Sequence, residues 1–152
     1  SRYVQKKWFR LQMSLAEETG YPVIIHDREA HGDCFDIVCR KKEARGVFHS
    51  YSGSAEMARE LTKRGWYISF SGVVTFKNAR QAPDVARMVP EDRFLTETDC
   101  PYLTPVPFRG KRNDSGKMYY TVEKLAELRG VPFQTVEAQS EENARRLFGI
   151  EI

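Results

Sequence analysis

The sequence predicts an α/β fold in which short parallel strands alternate with helices. Four runs rich in β-branched and aromatic residues recur along the chain, and a stretch with helical periodicity follows each, after a long loop in the fourth case. His26 ends the first run, His49 ends the second, and the fourth is predicted to end at Asp99. In parallel α/β folds such strand ends gather at one edge of the sheet, where ligands bind.

The composition is that of one soluble globular unit. The chain has 152 residues, a formal net charge of +3 and an apolar fraction of 41%, which suit a single domain with a substantial core. The charge is too small to require a nucleic-acid partner. Cys34, Cys39 and Cys100 are odd in number and lack metal-site spacing, which favours a reducing compartment. No apolar run is long enough to span a bilayer and no signal peptide opens the chain, so we expect a cytoplasmic protein without a membrane partner.

Helical periodicity predicts a first helix over residues 5–19, ended by Gly20. Trp8, Leu11 and Leu15 share a broad apolar face of this helix, with Phe9 and Met13 as further candidates. Further helices are predicted over residues 33–42, 55–64, 78–88 and 118–129. Ser54 is the expected N-cap of the second of these, and Pro83 is expected to interrupt the third. A last helix is predicted to start after a cap at Thr135 or Ser140 and to end near Phe148.

The predicted strands cover residues 23–26, 46–49, 66–70 and 93–99. The first is a β-branched run of the kind that parallel sheets cover on both faces. In the fourth, alternation places Leu95, Glu97 and Asp99 on one face. Two carboxylates on an otherwise apolar strand are costly to bury unless a cation neutralises them. Pro101 ends the pairing of this strand.

Two imidazoles and one carboxylate at strand ends indicate a metal site. His26, His49 and Asp99 suit Zn²⁺ or another first-row divalent cation, and such a cation activates water as a nucleophile. Taken separately, either histidine is better explained as a hydrogen-bonded structural residue, and only the coincidence of three strand ends favours metal. Glu97, two residues before Asp99, either binds the metal, orients one of its ligands, or does neither.

Arginines near the predicted site suit an anionic substrate. Arg28 lies two positions beyond His26, and Arg109 and Arg112 lie in a long loop, 100–117, that is rich in proline, glycine and basic residues. Guanidinium groups bind phosphates through paired hydrogen bonds, so we expect these three arginines to contact substrate. On composition alone, a solvated charged loop is the better explanation of segment 100–117.

Five segments of the chain carry a family resemblance. They are PVIIHDREA (22–30), GVFHSYSGS (46–54), YISFSGVVTFK (67–77), FLTETDCPYLTPVPFRGKRND (94–114) and ENARRLFGI (142–150). In this order they resemble the TatD family of metal-dependent hydrolases over nearly the whole chain. The resemblance implies the C-terminal half of a (β/α)8 barrel of the amidohydrolase type. It also implies deoxyribonuclease activity that depends on divalent cations (Zn, Mg or Mn), two of them in the complete enzyme.

The resemblance implies roles for individual residues. His26 and His49 match the two downstream metal-binding histidines of the family, and Asp99 matches its last acidic ligand, near the catalytic water. Glu97 matches the acidic position of the ETD motif. Segment 107–114 matches a loop expected near the substrate, DNA or another phosphodiester.

Part of the family pattern is missing. The family begins with a strand that carries an HxH pair and has a bridging glutamate at the end of its fourth strand, and this sequence contains no HxH. We therefore expect residues 1–152 to form one partial domain, whether a fragment, a truncation or a natural half-protein. Its four strands would leave two open edges, to be completed by the missing N-terminal half or by self-association.

Two other functions stay open at this point. The same barrel could hydrolyse a small ester, amide or phosphate, since barrels support many chemistries. Alternatively, a half-barrel that has lost catalysis could serve as an interaction module.

Overall fold

The computed structural model describes residues 1–151 and confirms the predicted α/β fold. Its four strands are β1 (Val23–His26), β2 (Gly46–His49), β3 (Tyr67–Phe70) and β4 (Phe94–Thr96). They pair in parallel in the order β1–β2–β3–β4. The helices are α1 (Arg2–Thr19), α2 (His31–Cys39), α3 (Ala55–Lys63), α4 (Gln81–Met88), α5 (Met118–Arg129) and α6 (Phe133–Phe148), with short 3₁₀ helices at Gly72–Thr75 and Ser115–Lys117.

Local capping explains where several helices begin and end. Gly20 adopts φ 71° after α1 and its amide donates to the Ala16 carbonyl, which confirms the predicted stop. The Ser54 side chain accepts a hydrogen bond from the Met57 amide, so its predicted role as N-cap of α3 is confirmed. Ser1 caps α1 through the Val4 amide, and the helix therefore begins earlier than residue 5.

Other predicted boundaries were wrong for identifiable reasons. Pro83 does not interrupt α4, because it lies in the first turn of that helix, where amides have no intrahelical partner. Pro132 precedes α6, so Thr135 and Ser140 lie inside that helix and do not cap it. β4 ends at Thr96 rather than at residue 99, and the chain beyond it turns into a loop.

The sheet has two different faces. One face packs against the helices to form the main apolar core, which includes the strand residues Ile25, Phe48, Ile68, Phe70 and Phe94. On the opposite face, here called the inner face, Val47, Tyr67 and Leu95 pack against Leu147 near the end of α6. Because successive strand residues alternate between faces, His26 and His49 lie on the inner face as well.

The two edges of the sheet also differ, which corrects the prediction of two open edges. α6 lies along the outer edge of β4, where Ser140 Oγ accepts a hydrogen bond from the Thr96 amide (3.0 Å). Asn143 Nδ2 donates to the Phe94 carbonyl on the same edge (2.9 Å). At the other edge, Ile24 of β1 is 66% exposed, so this strand is not covered on both faces as predicted.

The apolar face predicted for α1 is buried only in part. Met13 is buried and Phe9 packs against the main core, whereas Trp8, Leu11 and Leu15 are 58%, 49% and 50% exposed. The periodicity correctly identified a helix with an apolar face, but within residues 1–151 nothing covers these three side chains. No helix in this range combines the length and the hydrophobicity needed to cross a lipid bilayer.

Gly72, directly after β3, permits a close approach between two loops. A Cβ at this position would lie 2.1 Å from the Leu103 carbonyl oxygen and 2.9 Å from the Pro105 nitrogen. Nearby, the Val106 amide donates to Thr75 Oγ1 (2.9 Å). The long loop after β4 is therefore packed against the turn after β3.

We expect Gly72→Ala to lower the free energy of unfolding by about 1–3 kcal/mol, because the added methyl group overpacks this junction against backbone atoms. Gly32→Ala is the matched control, since a Cβ there meets nothing within 4 Å and alanine favours the helix by up to about 1 kcal/mol. Urea unfolding followed by tryptophan fluorescence measures both values. Equal free energies for the two variants would contradict the described packing.

Candidate metal and phosphate site

The pairing of β1 with β2 places two histidines side by side. His26 and His49 are direct partners in the parallel register, and their ring centroids are 5.6 Å apart with planes tilted by 34°. Both side chains lie on the inner face, at the carboxyl ends of their strands. This confirms that the two strand ends bring the imidazoles together.

Glu97 lies beside His49. Its Oε1 is 2.6 Å from His49 Nδ1, and its Oε2 accepts a hydrogen bond from the Ser50 amide (3.2 Å). The short Oε1 contact is not aligned as a hydrogen bond, so this buried oxygen has no hydrogen-bond partner among residues 1–151. Such an oxygen is costly, and either a small rotation towards Nδ1–H or a bound cation would relieve the cost.

Asp99 approaches the opposite nitrogen of the same ring. Its Oδ1 is 3.6 Å from His49 Nε2, a distance longer than a hydrogen bond. Asp99 does not end a strand as predicted, because β4 stops at Thr96 and Asp99 lies in the following loop with φ 54°. His49 thus stands between two carboxylates, one on each ring nitrogen.

Strained backbone concentrates in the loops that follow the strands. All four non-glycine residues with positive φ in the described chain lie there, namely Glu29 (56°), Ser50 (41°), Asp99 (54°) and Leu103 (52°). Each such residue costs of the order of 1–3 kcal/mol, and such residues cluster at functional sites. This clustering marks the carboxyl edge of the sheet independently of any ligand pattern.

The three predicted substrate arginines lie in loops but differ in how firmly they are held. Arg109 stacks on Phe76, with its guanidinium carbon 4.1 Å from the ring centroid, and donates to Asn78 Oδ1 (3.3 Å). Arg28 is exposed and lines a cleft of about 930 Å³ that also contains His26. Arg112 is exposed. Only Arg109 is therefore preorganised by its neighbours.

His31, at the start of α2, pairs with an acidic residue of the preceding loop. Its Nδ1 lies 2.7 Å from Asp27 Oδ2, and the His31 side chain is about one-third exposed. Asp27 also accepts a hydrogen bond from the Ala30 amide (3.1 Å), which orders the loop between β1 and α2. The four-residue spacing of Asp27 and His31 was the only signal of this pair in the sequence.

The acidity of nearby side chains excludes two candidate nucleophiles. Burial, with a smaller contribution from the Asp27 carboxylate, raises the pKa of the Cys34 thiol to about 12. Burial also raises the pKa of the Tyr51 hydroxyl above its usual value, and that hydroxyl donates to the Ser54 carbonyl. Neither group is ionised near neutral pH, so neither is an activated nucleophile in this structure.

His26, His49, Glu97 and Asp99 offer two imidazoles and two carboxylates, which are groups that first-row divalent cations bind. The Glu97 oxygen without a hydrogen-bond partner lies among them. The contacts are pairwise: His26 with His49, and His49 with Glu97 and Asp99. No three His, Cys, Asp or Glu side chains within residues 1–151 are placed to hold one ion together.

Comparisons with known proteins identify similar chains. A family model described as TatD related DNase matches residues 1–149. The uncharacterized metal-dependent hydrolase YabD of Bacillus subtilis is 46% identical over 149 residues, covering 97% of this chain and 58% of that protein. The uncharacterized metal-dependent hydrolase YcfH of Escherichia coli is 42% identical over 149 residues, covering 97% of this chain and 56% of that protein.

Solved structures show the same architecture. YJJV, a TatD homolog from Escherichia coli, has a TM-score of 0.85 at 28% identity, covering 92% of this chain and 54% of that one. An uncharacterized amidohydrolase from Saccharomyces cerevisiae shares the fold, with a TM-score of 0.82 at 18% identity. The match covers 97% of this chain and 60% of that one. This chain thus spans little more than half the length of these proteins.

We expect Glu97→Gln to weaken Mn²⁺ or Zn²⁺ binding by roughly 10- to 100-fold, the usual effect of removing a carboxylate that orients a ligating histidine. Isothermal titration calorimetry measures the affinity. Glu91→Gln is the control, because Glu91 precedes β4 at the opposite end of the sheet. An unchanged affinity in Glu97→Gln, or an equal loss in both variants, would contradict the assigned role.

Proposed function

Because this chain belongs to the TatD-related DNase family, we propose that it is the C-terminal half of a metal-dependent hydrolase that cleaves phosphodiester bonds in DNA. Relatives named metal-dependent hydrolases support hydrolysis with a divalent cation. DNA as the substrate is supported by the family description and by the basic residues around the site. We propose a reducing, cytoplasmic location, which the three free cysteines support.

The observation that carries this proposal is the position of His49. It pairs in register with His26 on the inner face and has Glu97 and Asp99 at its two ring nitrogens. In the complete enzyme, His26, His49 and Asp99 would contribute ligands to the cation together with residues from outside this chain, and Glu97 would fix the orientation of His49 through Nδ1. A bound divalent cation supplies Lewis acidity and lowers the pKa of a coordinated water.

Asp99 is the residue that we assign to the reacting atoms. Its carboxylate lies at the carboxyl edge of the sheet, partly open to solvent, where it can orient the attacking water and accept its proton. Arg28, Arg109 and Arg112 would bind the phosphates of the substrate and offset their charge. Arg109 is already held by Phe76 and Asn78, so its phosphate contact needs little reordering.

Hydrolysis of a small ester, amide or phosphate is the alternative activity. Such a substrate would not need cations along the loop that carries Arg109 and Arg112. The stacking of Arg109 on Phe76 favours a longer polyanion, because it fixes a positive charge in a loop separate from the histidines. Parallel assays with DNA, bis-p-nitrophenyl phosphate and p-nitrophenyl acetate distinguish the two activities.

The uncovered apolar surface indicates how the missing half would associate. Ile24 on β1 and Trp8, Leu11 and Leu15 on α1 are exposed, and β1 is an edge strand. We propose that an N-terminal half adds a strand beside β1 and covers this surface. A non-catalytic interaction module would use the same surface, so activity after association separates the two functions.

We expect residues 1–152 alone to bind metal weakly and to cleave DNA at no appreciable rate, because the sequence lacks the HxH pair of the family. The N-terminal part of Bacillus subtilis YabD that this chain does not match, added in trans, is expected to bind and restore metal-dependent cleavage. His49→Ala is the inactive control. Nucleotide release is measured with Zn²⁺, Mn²⁺ and Mg²⁺.

Metal-dependent cleavage by a confirmed monomer of residues 1–152 would contradict the half-site proposal. Binding of the N-terminal part without any cleavage would favour the interaction module instead. Cleavage of p-nitrophenyl acetate but not DNA by the complemented protein would favour the small-substrate hydrolase.

We expect Arg109→Ala, in the complemented enzyme, to raise KM for DNA with little change in kcat, because its contact is to phosphate rather than to the reacting atoms. The slope of log KM against log salt concentration should fall by about 1 for the lost phosphate contact. Arg87→Ala is the control, since Arg87 is exposed on α4 and pairs with Asp84. An unchanged KM and salt slope in Arg109→Ala would refute a phosphate contact.

A further inference from the structure

Asn113 is one of the few fully buried polar residues in the chain. It lies in the long loop after β4 and is only 3% exposed. Its Nδ2 donates to the Thr98 carbonyl (2.8 Å) and to the Tyr102 carbonyl (2.7 Å). Because both partners are carbonyl oxygens, only the amide nitrogen can face them, and the orientation of the side chain is fixed by chemistry.

These contacts enclose Asp99. Thr98 and Tyr102 flank it on the two sides, and the Tyr102 amide donates to the Asp99 carbonyl (2.9 Å). The main-chain amide of Asn113 adds a bond to the Pro101 carbonyl (3.1 Å). Within this closed segment, here called the Asp99 turn (residues 98–102), Asp99 holds the left-handed φ of 54°.

The same asparagine belongs to the loop that carries the arginines. Thr104 Oγ1 donates to the Lys111 carbonyl, and the Lys111 amide donates to the Phe108 carbonyl (3.0 Å). Segment 104–113 is therefore closed on itself, and Asn113 is its attachment to the Asp99 turn.

We propose that Asn113 is a positioning residue: it holds the Asp99 turn so that the carboxylate faces His49, and it couples that carboxylate to the arginine-bearing loop. The inference rests on the proposed role of Asp99 in metal binding. Asn113 itself would touch neither the metal nor the substrate, since both of its amide hydrogens are already used and its Oδ1 accepts a hydrogen bond from the Asp114 amide (3.0 Å).

The chain offers a matched control. Asn143 is 2% exposed and also donates from Nδ2 to two carbonyls, those of Glu91 and Phe94, each at 2.9 Å. Its bonds hold the edge of β4 and do not reach the Asp99 turn. Asn113→Ala and Asn143→Ala thus each remove two hydrogen bonds from Nδ2 to main-chain carbonyls, at different places in the fold.

Hydrogen exchange of the full 152-residue chain tests the positioning directly. In Asn113→Ala, peptides covering residues 98–104 should exchange at least tenfold faster, whereas Asn143→Ala should accelerate exchange around 91–96 instead. If Asn113→Ala does not fold, Asn113→Ser, which keeps one donor, should give a smaller increase in the same peptides. Unchanged exchange at 98–104 in both Asn113 variants would overturn the proposal, as would equal acceleration there in Asn143→Ala.

A double-mutant cycle tests whether Asn113 acts through Asp99. Asn113→Ala should lower Mn²⁺ affinity roughly tenfold in the wild-type background and have no further effect in Asp99→Asn. An equal loss in both backgrounds would overturn the proposal, because Asn113 would then act on the fold as a whole. If Asp99→Asn alone leaves the affinity unchanged, the proposed metal role of Asp99 fails, and hydrogen exchange decides the positioning claim by itself.

Discussion

The in-register parallel pairing of β1 with β2 determines the positions of the two histidines of the candidate site. β1 and β2 pair residue for residue up to His26 and His49, so both imidazoles reach the same height on the same face. Continuing the register of β2 with β3, the inner-face residue of β3 at this height is Ser69. Because serine is small, Glu97 can reach from the far side of β3 to His49 Nδ1. The acidic residues of the site therefore come from the segment that follows β4, not from β3.

The site is held by its surroundings more than by its own residues. The left-handed backbone of Asp99 costs of the order of 1–3 kcal/mol, while two buried hydrogen bonds from Asn113 contribute about 1 kcal/mol each. The two effects are comparable, so the conformation of Asp99 depends on the loop that supplies Asn113. Gly72 extends this dependence to β3, because only glycine allows the approach of the Leu103 carbonyl.

Patterns that depend on local chemistry could be predicted from the sequence. Strand alternation placed His26 and His49 together, and glycine and serine propensities located the helix boundaries at Gly20 and Ser54. Contacts between distant segments could not be predicted, because they leave no periodic pattern in the sequence. Ser140 and Asn143 bind the β4 edge across 44 and 49 residues, and this contact is why the prediction of two open edges was wrong. The exposure of Trp8, Leu11 and Leu15 on α1 could not be predicted either, because periodicity finds an apolar face without showing what covers it.

The difference between the two sheet edges bears on which assembly completes the site. If two copies closed into one barrel, β4 of each copy would pair with β1 of the other. Both junctions would then require α6 to leave the β4 edge. A separate N-terminal half would have two junctions with this chain, and one of them would be at the β1 edge. Nothing within residues 1–151 covers that edge, and Ile24 and the exposed face of α1 lie beside it. A strand added there gains main-chain hydrogen bonds and buries apolar surface without displacing any element. The added strand would also lie next to His26. We therefore propose that the same association covers the apolar surface and supplies the further ligands that a metal bound by His26 and His49 would need.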